Sequence, residues 1–353
     1  MEYPLWFDGI MLFILFLTLF IAITQPEIPD TPKGFVYIIA IIAIFLFGLA
    51  PAIDSVGTDR ETYAYMFSHF DQYVKFGFRD IGFSYYTKIC MLLTNSITGC
   101  FLISALIYVC GTVYFYIKAV PERHLYLILL TFLSLGFANH HYNVLRSGLC
   151  IALILIAISK GQKQWISLLC MFIASSFHIS GLLIIISYIV TSKFKRTKLL
   201  YFIWGILCIA LIAGLFDTLN QYSHLTAAFE DGRIESYLLD EREYNTGLRL
   251  DFITYSFIPI VIGGYYIFKK RFNDSYYLHI YNTYILCNAL WLIFSRIPFN
   301  DRLAYLSWVF IPFILLYPLL TTKTVNVKHP KIMLLCFVSM IVGINIIIKY
   351  IQN

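Results

Sequence analysis

Three arginines stand where long apolar segments of the sequence begin or end. Arg146 opens one apolar run, and Arg296 and Arg302 bracket a short turn. A guanidinium is always charged, and its planar fork can bind two oxygens of a phosphate or carboxylate, which an ammonium cannot do. The other interpretations are that Arg146 snorkels to the membrane surface and that Asp301 pairs with the arginines beside it. These three positions are candidates for binding an anion.

A histidine, His178, lies between two apolar segments and is flanked by small residues in the stretch 175–181. The two segments fit between Lys160 and Lys193, which leaves too few residues for two full spans of about 20 residues and a turn. The apex that holds His178 is therefore expected to lie below the outer surface, at the floor of a cavity. An imidazole in that place can act as a base. The alternative is a core histidine with satisfied hydrogen bonds.

The segment 57–63 carries a second acid–base candidate. It follows a helix end interrupted by Pro51, and it contains Asp59, Arg60 and Tyr63. A carboxylate near the membrane surface can accept a proton from a sugar hydroxyl, and a tyrosine ring such as that of Tyr63 can stack on a sugar face. The alternative is a solvated helix cap.

Membrane-spanning helices are the elements that would position these residues. The 353 residues are 59% hydrophobic and 13% charged, which is more apolar than a soluble domain of this size can bury in one core. Long apolar runs recur, each near the roughly 20 residues that cross a bilayer as a helix. The sequence predicts an all-α, polytopic transmembrane helical bundle, with residues 1–353 as a single domain. It has about 12 spans and a short re-entrant or interfacial helix at 81–95. The run 11–24 is interpreted as a retained helix rather than a signal peptide.

Basic clusters orient this bundle, because lysine and arginine accumulate in cytoplasmic loops. The clusters that mark the cytoplasmic side lie at 118–123, 160–163, 193–198, 269–271 and 323–331. The first outer loop, 54–80, and a long outer loop, 217–249, then face outward. Most lysines fall on the cytoplasmic side in this arrangement, whereas most arginines fall on the outer side. The outer face is therefore predicted to hold anions.

The long outer loop, 217–249, exceeds the length of an ordinary connector, and loops of this size are often lids or binding loops. It carries Tyr237 and Tyr244, whose rings are available for stacking, together with several acidic residues. Arg233 and Arg242 are expected to pair with those acids.

Several chemistries are not indicated by the sequence. His140 and His141 are adjacent and point apart on a helix, so no zinc-type cluster is predicted. No P-loop, nucleophile elbow or dinucleotide-binding fingerprint is present. The eight cysteines are scattered in apolar segments without a C-x-x-C pair, which is typical of packing residues. The net charge of +6 arises in short basic loops, so it does not indicate a nucleic-acid partner.

Three short motifs carry a resemblance to a known family. They are Gly57-Thr58-Asp59 followed by a tyrosine, Arg146-Ser147-Gly148 at the start of a helix, and Phe177-His178-Ile179-Ser180. In this order the chain resembles the EpsG-like group of bacterial polysaccharide polymerases, which includes the Wzy-type O-antigen polymerases. Hydropathy extends the likeness over most of the chain. Ser147 stands where family members usually have a glutamine or a similar residue.

The resemblance implies a glycosyltransferase related to the GT-C class, which works on the periplasmic face of the bacterial inner membrane. It would transfer a glycan from undecaprenyl diphosphate to an incoming lipid-linked repeat unit, without a metal or another cofactor. Its partners would be lipid-linked oligosaccharides, membrane lipids and a chain-length regulator, with no nucleic acid.

Roles for the candidate residues follow from this resemblance. Asp59 or His178 would be the base that takes the proton of the acceptor hydroxyl. The arginines expected to bind the diphosphate are Arg146, Arg296 and Arg302. The residues expected to contact the sugars are Arg60, Tyr63, His141, Tyr237 and Tyr244.

Two other functions are alternatives. A flippase or transporter of the lipid-linked oligosaccharide would be expected to show two repeated halves and ionisable residues in mid-membrane. A membrane acyltransferase of surface sugars would use a histidine with a nearby acid. Deleting the gene discriminates among them, because single repeat units would indicate a polymerase, complete loss a flippase, and unmodified full-length chains an acyltransferase.

Overall fold

The computed structural model describes most of the chain. The described residues are 5–24, 28, 30–32, 34–49, 59–71, 80–134, 136–137, 140, 144–216, 248–296, 300–321, 325, 327 and 329–352. The predicted first outer loop is thus described only at 59–71 and at Asp80, and the predicted long outer loop only at 248–249. His141, Tyr237 and Tyr244 lie outside the described residues.

The described part of the chain is helical and contains no strand, which confirms the predicted all-α class. Contacts within the chain divide it into a first unit, residues 1–178 and 315–353, and a second unit, residues 179–314. The α-helices that begin in the first unit are α1 Leu5–Thr24, α2 Phe35–Gly48, α3 Asp59–Ser68, α4 Ile81–Thr94, α5 Ile97–Ala119, α6 His124–Phe132, α7 Leu145–Ala157, α8 Gln164–Phe177 and α15 Pro330–Gln352. Those that begin in the second unit are α9 Leu182–Lys193, α10 Thr197–Ile212, α11 Leu250–Gly264, α12 Ser275–Ile293, α13 Asn300–Trp308 and α14 Ile311–Leu320.

Apolar helices make this a membrane protein. Among the described residues, three stretches are long and apolar enough to cross a bilayer, Ile97–Ala119, Leu250–Lys269 and Asp301–Leu320. Several shorter apolar helices accompany them. Large apolar side chains are exposed on the helices, such as Phe16 and Phe202, as expected where lipid rather than water is the solvent. The prediction of 12 spans is not confirmed.

The first unit is assembled around α5. Helices α2, α4 and α7 pack against α5, and α8 packs against α7 and α4. Small residues let the backbones approach one another. A Cβ at Gly48 would lie 2.9 Å from the Cα of Leu102, and one at Gly111 would lie 2.9 Å from the carbonyl oxygen of Ala152. Both distances are shorter than ordinary contact, so these helices can be this close only because glycine has no side chain.

The second unit is assembled around α12, which packs against α9, α10, α11 and α13. A buried hydrogen-bond network joins four of these helices. The amide nitrogen of Asn288 donates to the hydroxyls of Ser256 at 2.9 Å and Ser307 at 3.0 Å, and its oxygen accepts from the Trp204 indole at 2.7 Å. Trp308 also donates to the Ser256 hydroxyl, at 2.8 Å. Such polar contacts stabilise helix packing where lipid offers no competing partner.

Candidate functional site

Three helix ends of the first unit come together at one place. Asp80 directly precedes α4, Arg146 is the second residue of α7, and His178 directly follows α8. His178 has an extended backbone, with φ −160° and ψ 122°, so it ends α8 and turns out of the helix. These three residues are called the charged cluster below. The structure thus joins two residues predicted from the sequence with a third that was not predicted.

Asp80 is the centre of the charged cluster. Nη1 of Arg146 donates to Oδ2 of Asp80 at 2.7 Å. The same oxygen lies 3.5 Å from Nδ1 of His178, at the outer limit of hydrogen-bonding distance. The exposed fractions of the side chains are only 5% for Asp80, 9% for Arg146 and 12% for His178. A charge pair with so little water around it is stable only while both partners are present.

The electrostatics of the charged cluster keep Asp80 ionised. Burial opposes the charged form of this carboxyl, but the His178 imidazole that faces it and the positive charge of Arg146 together outweigh it and lower the pKa of Asp80. A carboxylate facing Nδ1 favours the histidine tautomer that carries its proton on Nδ1. Nε2 of His178 is then the ring nitrogen that can accept a proton from a ligand.

Glycine residues bring the ends of these helices close enough to meet. A Cβ at Gly82, near the start of α4, would lie 2.9 Å from the carbonyl carbon of Ser176, near the end of α8, and closer still to its hydroxyl. A Cβ at Gly148 would overlap the carbonyl oxygen of His140 in the same way. The motif residue Gly148 is therefore a packing position in the first turns of α7.

Two further contacts hold the end of α8 in place. The Phe177 ring packs against Tyr86 of α4, with ring centroids 5.8 Å apart. The thiol of Cys150, on α7, donates to the carbonyl oxygen of His178 at 3.7 Å. His178 is consequently anchored to α4 and α7 through its neighbours and its own backbone, independently of its contact with Asp80.

The first unit also contains a small apolar pocket, and two of its lining residues are close to the charged cluster along the chain. Its lining comes from α3 and the residue Phe70 just after it, from α4 and α5, and from the start of α7. The lining residues are Tyr63, Met66, Phe67, Phe70, Phe83, Ser84, Thr87, Ile97, Cys100, Phe101 and Leu145. Leu145 is the chain neighbour of Arg146, and Phe83 lies within one helical turn of Asp80.

The structure places Arg60 in a helix-joining position. Its Nη2 donates to the carbonyl oxygens of Phe47 at 2.9 Å and Gly48 at 3.3 Å, at the end of α2. The guanidinium lies 4.0 Å from the centre of the Phe101 ring, and the residue is only 1% exposed. These contacts tie α3 to α2 and α5. A role of Arg60 in sugar binding stays a prediction.

The other predicted residues of this region have different surroundings. Asp59 is the first residue of α3 and is half-buried. Tyr63 is 5% exposed, lines the apolar pocket and packs on Phe83 with ring centroids 5.6 Å apart. The role of Asp59 as a base and that of Tyr63 in sugar binding stay predictions.

Arg296 and Arg302 belong to the second unit. Arg296 follows α12, Arg302 is near the start of α13, and both are half-buried. A further arginine, Arg249, precedes α11. It makes a bidentate ion pair with Asp251 at 2.9 and 2.6 Å, and its guanidinium lies 3.8 Å from the centre of the Phe252 ring. The three arginines predicted to bind diphosphate are thus divided between the two units.

Asp80 is the residue that the sequence analysis missed. The sequence places it only as the last residue of the predicted first outer loop, 54–80. The side chain makes no capping bond to α4 and instead faces Arg146 and His178. A usable signal was present, because all three residues stand at the predicted outer end of an apolar segment. No group of three or more potential metal ligands occurs among the described residues.

Comparisons with known proteins give one match. The model of the EpsG family matches residues 34–353, which is nearly the whole chain and includes every member of the charged cluster. No curated protein and no solved structure matches the chain.

Proposed function

Because this chain belongs to the EpsG family, whose members are like the Wzy-type polymerases, we propose that it is a polysaccharide polymerase. It joins repeat units carried on undecaprenyl diphosphate, of the O-antigen type, at the periplasmic face of the inner membrane. The reaction is a glycosyl transfer from one lipid-linked glycan to a hydroxyl of another.

The observation that carries this proposal is the buried charged cluster. A glycosyl transfer of this kind needs a group that takes a proton from the acceptor hydroxyl and a group that offsets charge on the departing diphosphate. Nε2 of His178 supplies the first. The guanidinium of Arg146 supplies the second, since it presents its donors in a planar fork that matches phosphate oxygens.

These two residues account for the proton and the charge that the glycosyl transfer moves. The acceptor oxygen forms a bond to the anomeric carbon while its proton passes to Nε2 of His178. The bond between that carbon and the diphosphate oxygen breaks, and the diphosphate leaves on its lipid beside Arg146. The transition state is expected to be oxocarbenium-like, by analogy with glycoside hydrolysis. The proton on His178 is then released to solvent or to the diphosphate.

The test is the replacement Arg146→Lys, which keeps the charge and loses the fork. In cells that lack the native gene, we expect at least a tenfold fall in polymer with accumulation of single repeat units, at an unchanged protein level. Arg123→Lys is the matched control, because Arg123 forms an exposed ion pair with Asp30 at 3.1 Å and such pairs contribute little.

Either of two results would overturn the proposal. Normal polymer from the Arg146→Lys protein would remove the role of the guanidinium fork. Loss of all surface polysaccharide on deleting the gene, rather than accumulation of single units, would favour the flippase. Reconstitution of the purified protein with a lipid-linked repeat unit, and no nucleotide, should lengthen the glycan directly.

A further inference from the structure

We propose that Asp80 is a positioning residue shared by Arg146 and His178, and that an anion bound at Arg146 releases its carboxylate to His178. Binding of the negatively charged donor substrate would thus orient His178, the base. This inference rests on the proposed function, but its central measurements need no polymer formation.

The distances show how Asp80 is divided between its two partners. A single oxygen, Oδ2, lies 2.7 Å from Nη1 of Arg146 and 3.5 Å from Nδ1 of His178. The first is a short charge-assisted hydrogen bond, and the second is at the limit of hydrogen bonding. Asp80 is therefore committed mainly to Arg146, and it holds the imidazole only loosely.

An incoming anion competes with Asp80 for the guanidinium. Arg146 and Asp80 are both buried, and a buried arginine must keep a negative partner. A diphosphate at Arg146 provides that charge, so it can replace the carboxylate. Nδ1 of His178, 3.5 Å away, is then within reach of the freed Oδ2 as a hydrogen-bond donor.

The surroundings of His178 fit such an exchange. His178 contacts Asp80 from the start of α4 and Cys150 from α7, and Arg146 of α7 binds the same Asp80 oxygen. Cys150 holds the backbone oxygen of His178, and Phe177 holds the end of α8 against Tyr86. The ring can therefore tighten its contact with Asp80 without movement of α8. Binding of the donor substrate at Arg146 and orientation of the His178 ring therefore become coupled.

Replacing Asp80 distinguishes the proposed exchange from a purely structural role of the Asp80–Arg146 ion pair. Asp80→Asn removes the charge that competes for Arg146. Inorganic pyrophosphate should therefore bind the purified variant about tenfold more tightly than it binds the wild type. The same variant should lose glycan extension, because a neutral amide at this position cannot hold the imidazole by charge. Asp80→Glu should restore both values toward wild type. If Asp80 only maintained the fold, Asp80→Asn would weaken pyrophosphate binding.

A measurement on the wild type covers the case in which Asp80→Asn does not fold. Histidine ring nitrogens are observed by NMR in ¹⁵N-labelled protein, with His178 assigned from the His178→Gln variant. Saturating pyrophosphate should move the Nδ1–H proton of His178 downfield, as a shortened hydrogen bond does, while Arg146→Gln should abolish the shift. An unchanged ring signal under saturation overturns the exchange. A normal shift in a protein that makes no polymer would leave the exchange intact and remove the proposed reaction.

Discussion

The replacement Gly82→Ala tests whether the spacing between α4 and α8 controls the charged cluster. A Cβ at this position would lie 2.9 Å from the carbonyl carbon of Ser176 and would overlap the Ser176 hydroxyl. Ordinary carbon contacts are about 3.5–4.0 Å, so the start of α4 must retreat by about 0.6–1 Å. Asp80 stands two residues before Gly82 and would move with it, away from His178.

The expected effect is larger on activity than on stability. Overpacking of this kind costs about 1–3 kcal/mol, and replacing glycine by alanine in a helix returns about 1 kcal/mol, which leaves a net loss of about 1 kcal/mol. A misplacement of about 1 Å in a catalytic group can cost about 100-fold in rate. We therefore expect a protein that folds and accumulates normally but extends the glycan about 10- to 100-fold more slowly.

The assay is extension of a lipid-linked repeat unit by protein reconstituted in vesicles, with thermal unfolding measured on the same preparation. Gly205→Ala is the matched control, because a Cβ at this helical glycine of α10 meets no atom within 4 Å. The double variant Gly82→Ala with Ser176→Ala should regain part of the activity, since it removes the hydroxyl that the new methyl group meets. Wild-type extension by Gly82→Ala alone would refute the argument that this spacing positions Asp80.

Two further predictions concern stability. Asn288→Leu removes the three hydrogen bonds that Asn288 makes with Trp204, Ser256 and Ser307. At about 0.6 kcal/mol for each bond, the free energy of unfolding should fall by about 2 kcal/mol. An unchanged free energy of unfolding would show that these hydrogen bonds do not stabilise the protein. The pKa of Asp80 is lowered from its usual value of 3.8, so its stabilisation is complete above that pH and is lost as the pH falls through the lowered pKa. The difference in Tm between wild type and Asp80→Asn should therefore narrow as the pH falls below 3.8, and a difference that persists unchanged in strong acid would contradict this.

Residues at the ends of apolar segments could be found from the sequence. Helix α4, Ile81–Thr94, agrees with the predicted helix 81–95, and Phe177 ends α8 next to the predicted apex at His178. Both follow from local changes between apolar and polar residues, which a single sequence displays. Arg146 was found in the same way, because it is the last charged residue before a long apolar run.

The pairing of those ends could not be found in this way. Asp80 and Arg146 are 66 residues apart, and nothing in either segment names the other as its partner. The burial of Arg60 was missed for a related reason. Its contacts with the carbonyl oxygens at the end of α2 depend on how α3 lies against that helix, whereas its place in a polar stretch suggested an accessible side chain. Tertiary contacts of this kind override what composition indicates locally.

The assignment of three arginines to one diphosphate stays a prediction. Arg146, Arg296 and Arg302 share a residue type and a predicted side of the membrane, but they fall in different units of the chain. Residue type and side are one-dimensional properties. They indicate which chemistry is available, and only the packing of helices decides which residues can act together.

The order in which the chain is made gives the Asp80–Arg146 pair a further consequence. The ribosome completes Asp80 well before Arg146, so the start of α4 reaches the translocon without its partner. An unpaired aspartate costs about 2.5–3.5 kcal/mol at the centre of a helix on translocon scales, and less toward a helix end, where Asp80 stands. We therefore expect the start of α4 to wait at the membrane surface until α7 has been inserted. Substitutions that remove the charge of Arg146 should then reduce the amount of inserted protein as well as its activity. Membrane insertion of the chain would thus depend on the Asp80–Arg146 pair.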